Sequence, residues 1–363
     1  GNNSGGKIDF TMTGGSLERY SGGEANAVIF RGGPASTYTI AGGTITTKNM
    51  VIEGVQNDDV VARTSYTNTV RMTGGTINVR TNGGGEGLDI RGNDRNAMFL
   101  LEDGELNVGA NMVRIGHYGA GNGYHSVLRQ MGGVMNLGAT VNLCDSAADG
   151  EVELFGGVAR VATIRGWNQC DVRGNSNKAT LYGNGGTLVP WNDNLKFFYT
   201  MSGVYVGERG LTVDTKTYNN VLMVVKIENK DDAAGLFVKK GTGTLKVGLV
   251  ETDGGARGDF VNRSLAGEQT YTRIDEGTLL LVDATDAVFG KNATVKGGAT
   301  LSIEGTPTTL TVDTITLGDG HGFAVLKLDA GDTVVLEAAN GASDWNILHF
   351  CGWDGVPNHL DYY

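Results

Sequence analysis

Cysteine, proline and long apolar runs are scarce in this chain of 363 residues, and each shortage excludes a class of protein. Its three cysteines (Cys144, Cys170 and Cys351) are too few for a disulfide scaffold and lack the paired spacing of a zinc site. With only four prolines, and glycines that follow no collagen period, the chain is not collagen-like. No apolar run reaches the length of a membrane span, so we expect no membrane insertion.

Basic residues are also in short supply. The chain has 29 Lys and Arg against 40 Asp and Glu, a formal net charge of −11, and only 19% of its residues are charged. Nucleic acids and anionic membranes need a basic face, so neither is an expected partner. Hydrophobic residues at 40% are too frequent for a disordered chain. We therefore expect a folded protein with a core.

Glycine is abundant, with 59 copies, and it recurs at regular intervals. Pairs of glycines precede short alternating segments, as in "MTGGTINVR" at 72–80 and "QMGGVMNL" at 130–137. Successive marker glycines are nearly evenly spaced, except for one gap of double length that indicates a copy without its glycines. A period of about 28 residues is typical of stacked repeats. The markers are Gly15, Gly43, Gly75, Gly104, Gly133, Gly157, Gly186, Gly243 and Gly277.

Each repeat reads as three short strands. Apolar residues alternate after the glycines (Ile77 and Val79, for example), and two further alternating segments follow before the next marker. Alternation predicts strands with one buried face, and no helical pattern is present. Three strands in a repeat of about 28 residues describe one rung of a β-helix (β-solenoid), with glycine at a corner that needs positive φ or close backbone approach.

The period predicts a side-chain ladder as well as a core. Asn78, Asn107 and Asn136 occupy the same position of three successive repeats, and each is flanked by inward-facing apolar residues. We expect the three side chains to point outward on adjacent rungs and to hydrogen-bond along the stack. The alternative is three solvated asparagines at permissive positions.

The C-terminal third resembles a known family. In residues 236–303, a lysine (Lys239 or Lys240 as the matching position) precedes a Gly-x-Gly-Thr-Leu strand, which is followed by a Tyr-Thr turn and a second Gly-Thr-Leu strand. This pattern resembles the autotransporter-associated β-strand repeat, the passenger-associated repeat of bacterial surface proteins. The resemblance implies a right-handed parallel β-helix displayed outside a bacterial cell, and it implies no chemistry. Because residues 1–235 share the rhythm but not the signature, we expect two parts, 1–235 and 236–363. The matching residues after the lysines are Gly241, Gly243, Thr244, Leu245, Tyr271, Thr272, Gly277, Thr278 and Leu279.

Candidate functional residues are scattered. A polysaccharide lyase or hydrolase needs carboxylates grouped across one groove, whereas the acids fall on separate turns. His117, Tyr118, Tyr124 and His125 share a glycine-rich loop but lack an evident third metal ligand. We therefore expect no catalytic residue, bound metal or cofactor. The acids considered are Asp89, Asp94, Asp103, Asp145 and Asp149, and the aromatic residues that could stack on sugars, or instead fill core, are Trp167, Trp191, Phe197, Phe198 and Tyr199.

Two further features are open to interpretation. Arg257, Gly258 and Asp259 form a tripeptide that adhesive loops can present, although a glycine-rich chain can contain it by chance. Cys144 and Cys170 are separated by close to one repeat length, and they form a candidate disulfide in an exported protein, with Cys351 left free.

The expected function is structural. The sequence favours a non-catalytic extracellular rod or filament subunit at the bacterial surface that assembles end to end with copies of itself. The alternatives are a polysaccharide-active β-helix enzyme and an adhesin for glycan or a host protein.

Overall fold

Strands make up the regular structure of the chain. The computed structural model describes residues 7–19, 27–32, 35–54, 67–80, 86–91, 96–109, 112–117, 124–144, 148–167, 170–171, 175–225, 227–230, 234–248, 271–282, 286–288, 292–305, 309–312, 314–318, 323–328, 332–336 and 347–350. These residues are all-β and contain no α-helix, so none of them forms a helix that could cross a membrane. The low helix content follows from the period-2 alternation.

The chain divides into two compact units. Unit 1 comprises Gly1–Trp191 and Phe198–Gly203, and unit 2 comprises Asn192–Phe197 and Val204–Tyr363. The sequence rhythm changes later, at residue 235. The segment from Val204 to residue 235 therefore belongs to the same compact unit as residues 236–363.

The first seventeen strands are short except where a strand continues through a corner. They are β1 (Asp9–Met12), β2 (Ser16–Arg19), β3 (Ala27–Gly32), β4 (Thr37–Ile40), β5 (Thr44–Thr47), β6 (Asn49–Gly54), β7 (Thr67–Val79), β8 (Glu86–Arg91), β9 (Asn96–Val108), β10 (Met112–Ile115), β11 (His125–Gln130), β12 (Val134–Leu143), β13 (Asp149–Leu154), β14 (Val158–Gly166), β15 (Ala179–Gly183), β16 (Thr187–Pro190) and β17 (Asn194–Tyr199).

The remaining described strands belong to unit 2. They are β18 (Gly203–Val206, whose first residue is the last of unit 1), β19 (Leu211–Asp214), β20 (Val221–Met223), β21 (Ile227–Asn229), β22 (Leu236–Lys240), β23 (Thr244–Gly248), β24 (Tyr271–Ile274), β25 (Gly277–Val282), β26 (Asp286–Val288), β27 (Asn292–Val295), β28 (Ala299–Glu304), β29 (Thr309–Val312), β30 (Thr314–Leu317), β31 (Val325–Lys327), β32 (Thr333–Leu336) and β33 (Ile347–Phe350).

In unit 1 the strands pair in three parallel rows. The first row runs β1, β4, β7, β9, β11, β13, β15. The second runs β2, β5, β7, β9, β12, β14, β16. The third runs β3, β6, β8, β10, β12, β14. Each strand is therefore paired with strands from the neighbouring repeats, and the molecule builds a long parallel sheet.

The core of unit 1 consists of columns of apolar side chains. Ile77 lies opposite Leu106, and Leu106 lies opposite Met135, so the three stack as the sequence predicts. All three have no solvent exposure. Because side chains alternate across a strand, the intervening residues face outward.

Seven of the nine marker glycines have positive φ: Gly15, Gly43, Gly75, Gly104, Gly133, Gly157 and Gly277. At the other two, the positive φ belongs to a neighbour, Gly185 or Gly241. At Gly186 and Gly243 themselves, neighbouring atoms lie too close for a side chain. A Cβ on Gly243 would lie only 2.0 Å from Tyr218 O, and a Cβ on Gly186 would lie 2.6 Å from Leu154 Cβ.

Unit 2 repeats the arrangement with other residues at one corner. β20, β23, β25 and β28 pair in parallel, so that Val221, Leu245, Leu279 and Leu301 form a buried column. The corner before β20 carries Lys216 at φ 53° instead of a glycine. This corner lies within the double-length gap between the markers Gly186 and Gly243, whereas the corner before β19 carries Gly210 at φ 81°. A separate three-stranded parallel sheet contains β26, β29 and β32.

The predicted Cys144–Cys170 disulfide is not formed in the structure, and both cysteines are buried. Leu143 pairs with Gly166, so the residue at the level of Cys144 in the next repeat is Trp167, whose N–H donates to Leu143 O. Cys170 lies three residues farther along the chain. Cys170 Sγ instead donates to Trp167 O. Burial raises the pKa of the Cys144 thiol well above its ordinary value, which keeps the thiol protonated and unreactive. Cys351 lies outside the described residues.

Candidate functional site

A column of polar residues crosses the outer face of the third row of strands in unit 1. Asp89 lies opposite Arg114, Arg114 opposite Asn142, Asn142 opposite Arg165, and Arg165 opposite Tyr199. We call these five residues the polar column. Each alternates with inward-facing apolar residues, which places the whole column on one face of the sheet.

The Asp89 end of the column is fully buried. Asp89 Oδ2 accepts hydrogen bonds from Arg91 Nε at 2.7 Å and from His117 Nδ1 at 2.9 Å. Arg114 Nη1 lies 2.9 Å from His117 Nε2. Because a guanidinium only donates, this contact assigns Nε2 as an acceptor and Nδ1 as the protonated nitrogen. Both ring nitrogens are engaged within the protein, and neither is left to serve a substrate or a metal ion.

The Arg165 end is half-exposed and contains aromatic residues. Arg165 Nε donates to Asn142 Oδ1 at 2.6 Å, and Arg165 Nη1 donates to Tyr199 Oη at 2.7 Å. The guanidinium carbon lies 3.5 Å from the centroid of the Trp167 ring, within the range of a cation–π contact. Three neutral groups therefore hold this arginine in place.

The predicted asparagine ladder forms in the second row. Asn107 Nδ2 donates to Asn78 Oδ1 at 3.0 Å, and Asn136 Nδ2 donates to Asn107 Oδ1 at 2.8 Å. Asn136 Nδ2 also donates to Glu105 Oε1 at 3.2 Å. Each amide thus bridges to the next strand, adding side-chain hydrogen bonds to the backbone ladder.

The other predicted site residues do not gather into one site within the described residues, although His125 lies near Asp149. Asp103 is exposed and caps Gly104 N, and Asp149 Oδ1 accepts from Lys178 N at 2.7 Å. His125 Nε2 lies 3.5 Å from Asp149 Oδ2, away from His117, which contacts Asp89. Among the described residues, no group of three or more His, Cys, Asp or Glu side chains could hold a metal ion. Several predicted residues lie outside the described residues: Asp94, Asp145, Tyr118, Arg257, Gly258 and Asp259.

The five aromatic residues lie in three different environments. Phe197 and Phe198 have no solvent exposure and fill core, as one of the two sequence interpretations proposes. Trp191 is 45% exposed. Trp167 and Tyr199 contact Arg165 in the polar column. Three residues of the column, Arg114, Asn142 and Arg165, are not predicted from the sequence, although each follows an apolar residue at the same position of its repeat, in "VRI", "VNL" and "IRG".

In unit 2, Lys239 of the Lys-x-Gly-x-Gly pattern is buried, and its ammonium group is hydrogen-bonded to the backbone of a corner. Its Nζ donates to three backbone carbonyls: Lys240 O at 2.9 Å, Gly241 O at 2.7 Å and Glu276 O at 3.0 Å. Burial lowers the pKa of Lys239 from 10.5 to about 8, and the negative charges of Asp214 and Glu276 oppose that shift. Lys239 therefore has a structural role at this corner.

The lowered pKa of Lys239 predicts that the protein becomes more stable as the pH rises through the alkaline range. Between pH 8 and 10.5 the unfolded chain keeps a proton on Lys239 that the folded chain has lost, so the free energy of unfolding rises with pH. The slope for this one group is at most about 1.4 kcal/mol per pH unit. Chemical unfolding of wild type and Lys239→Met across this range should show the wild type gaining relative to the variant. A constant difference would contradict the prediction, and Lys240→Met, at the exposed neighbouring position, is the control.

Comparisons of this chain with protein-family models, curated proteins and solved structures find no match.

Proposed function

We propose that this chain is a non-catalytic structural protein of the bacterial cell surface, a rod that assembles end to end. Its parallel strands would form a right-handed β-helix of about 28 residues and three strands per rung. The observation that carries the proposal is the continuous strand pairing of unit 1. There, each of the three rows pairs strands from one repeat to the next, with apolar columns inside and an asparagine ladder outside.

The chemistry of the polar groups supports a structural function. His117, which an Asp89 partner could orient as a general base, has its second nitrogen against Arg114. General base catalysis needs a nitrogen within hydrogen-bond reach of substrate. Surface location rests on the resemblance of residues 236–303 to autotransporter-type repeats.

End-to-end assembly is supported by the first strands of unit 1. Phe10 lies opposite the buried Tyr38, and Leu17 lies opposite the buried Ile45. Phe10 and Leu17 themselves are 46% and 43% exposed. Among the described strands, β1 pairs with β4 and β2 with β5, each on one side. Exposed apolar residues on strands that are paired on one side only, among the described strands, favour pairing with another strand, and a non-closing contact between copies generates a filament.

The assembly test compares wild type with Leu17→Glu in negative-stain electron microscopy and sedimentation velocity. We expect concentrated wild type to form linear particles and Leu17→Glu to shift the population to monomers by about tenfold or more, since a charge would be buried in the contact. Met131→Glu is the matched control, because Met131 is 46% exposed at the corner that follows β11 rather than on an end strand. Wild type that stays monomeric at high concentration would end the assembly proposal.

A further inference from the structure

Arg165 differs from other half-exposed arginines of unit 1 in the partners that hold it. Among the described residues, its contacts are the Asn142 amide oxygen, the Tyr199 hydroxyl and the Trp167 ring, all of them neutral. By contrast, Arg91 is paired with Asp89 and Arg129 with Glu153. In a chain with a net charge of −11, an arginine held by neutral partners keeps a positive charge that could attract an external anion.

The contacts leave donors available in a fixed geometry. An arginine has five N–H donors, and Arg165 uses one on Nε and one on Nη1, so three remain. Stacking on Trp167 and the two hydrogen bonds fix the plane of the guanidinium. A guanidinium with a fixed plane is prepared for two parallel hydrogen bonds to a carboxylate.

Asn142 supplies a second, independent indication. The side chain has no solvent exposure, and its Nδ2 has no hydrogen-bond partner within the described residues. Its Oδ1 accepts from Arg165, so Nδ2 lies next to the guanidinium. An unsatisfied buried donor costs about 1–3 kcal/mol, and an acceptor bound beside Arg165 would recover part of that.

We propose that Arg165, Asn142, Trp167 and Tyr199 form a binding site for a carboxylate-bearing saccharide. The carboxylate would take the free N–H donors of Arg165, and the half-exposed Trp167 and Tyr199 rings would contact the sugar ring. The proposal goes beyond the structural function, because all four residues belong to unit 1 and the site does not require assembly of copies.

The test is isothermal titration calorimetry of the full chain with a galacturonate trisaccharide. We expect Arg165→Met to weaken binding at least tenfold, and Arg165→Lys to weaken it less because the charge remains while the planar fork is lost. Tyr199→Phe, which removes only the hydroxyl that orients Arg165, should weaken binding by about threefold. Binding of the trisaccharide should also weaken as salt increases.

Controls separate the site from general charge effects. Arg160→Met removes an exposed arginine from the same strand, β14, and should leave binding unchanged. A neutral galactose trisaccharide and acetate alone report the contributions of the ring and the carboxylate, and each should bind at least tenfold more weakly. Thermal unfolding of every variant verifies that it is folded. Equal binding by Arg165→Met and wild type, equal binding of the neutral trisaccharide, or no trisaccharide binding to wild type would overturn the proposal.

Discussion

Replacing Leu106 by Asp should destabilise the protein by about 4 kcal/mol or more, because the change buries an unpaired charge. Leu106 has no solvent exposure and lies in a column between Ile77 and Met135. A carboxylate there would meet only apolar neighbours within the column. Leu106→Ala, which only leaves a cavity, should cost less, about 2–5 kcal/mol depending on how far the column can collapse.

The adjacent residue provides the control for Leu106→Asp. Asn107→Asp introduces the same charge one position away, on the outer face, and should cost about 1 kcal/mol through loss of the Nδ2 donor to Asn78. Chemical unfolding of all three variants measures the differences. If Asn107→Asp were the more damaging change, the strand would be shifted by one residue, since a one-residue slip exchanges its two faces.

The repeat could be predicted from sequence because two short-range signals agree. Alternation assigned the inner face of each strand, and the glycine period assigned the partner strands, so the Ile77–Leu106–Met135 column and the asparagine ladder both followed. These residues lie where the repeat length stays at 29. A constant length makes equivalent residues easy to align.

The polar column could not be predicted in the same way, because its repeats vary in length. Arg114 and Asn142 are 28 residues apart in sequence, whereas Asn142 and Arg165 are 23 apart, and both pairs lie opposite one another in the sheet. Insertions between strands shift the separation from one layer to the next. The same variation explains the wrong disulfide prediction, which took the separation of Cys144 and Cys170 for one repeat. Leu143 instead pairs with Gly166, which places Trp167, not Cys170, at the level of Cys144.

Replacing Gly133 by Ala should also be strongly destabilising, by about 3 kcal/mol, for two separable reasons. Gly133 has φ 65°, a left-handed conformation that costs an alanine about 1–2 kcal/mol. An added Cβ would also lie 2.5 Å from Gly104 O, so the neighbouring corner would have to move. Displacement at this corner would disturb the backbone hydrogen bond that Gly133 O accepts from Val158 N.

Two other glycines separate these causes. Gly15 has φ 81° but nothing within 4 Å of an added Cβ, so Gly15→Ala should cost only the conformational part, about 1–2 kcal/mol. Gly138 has neither feature, since its φ is not positive and its nearest contact would be Val108 O at 3.5 Å. Gly138→Ala should therefore stay within about 1 kcal/mol of wild type. Chemical unfolding should show the largest loss of stability for Gly133→Ala, a smaller one for Gly15→Ala and the smallest for Gly138→Ala. Equal losses at Gly133 and Gly15 would show that the stacked corners tolerate a methyl group and that close approach is not what requires glycine there.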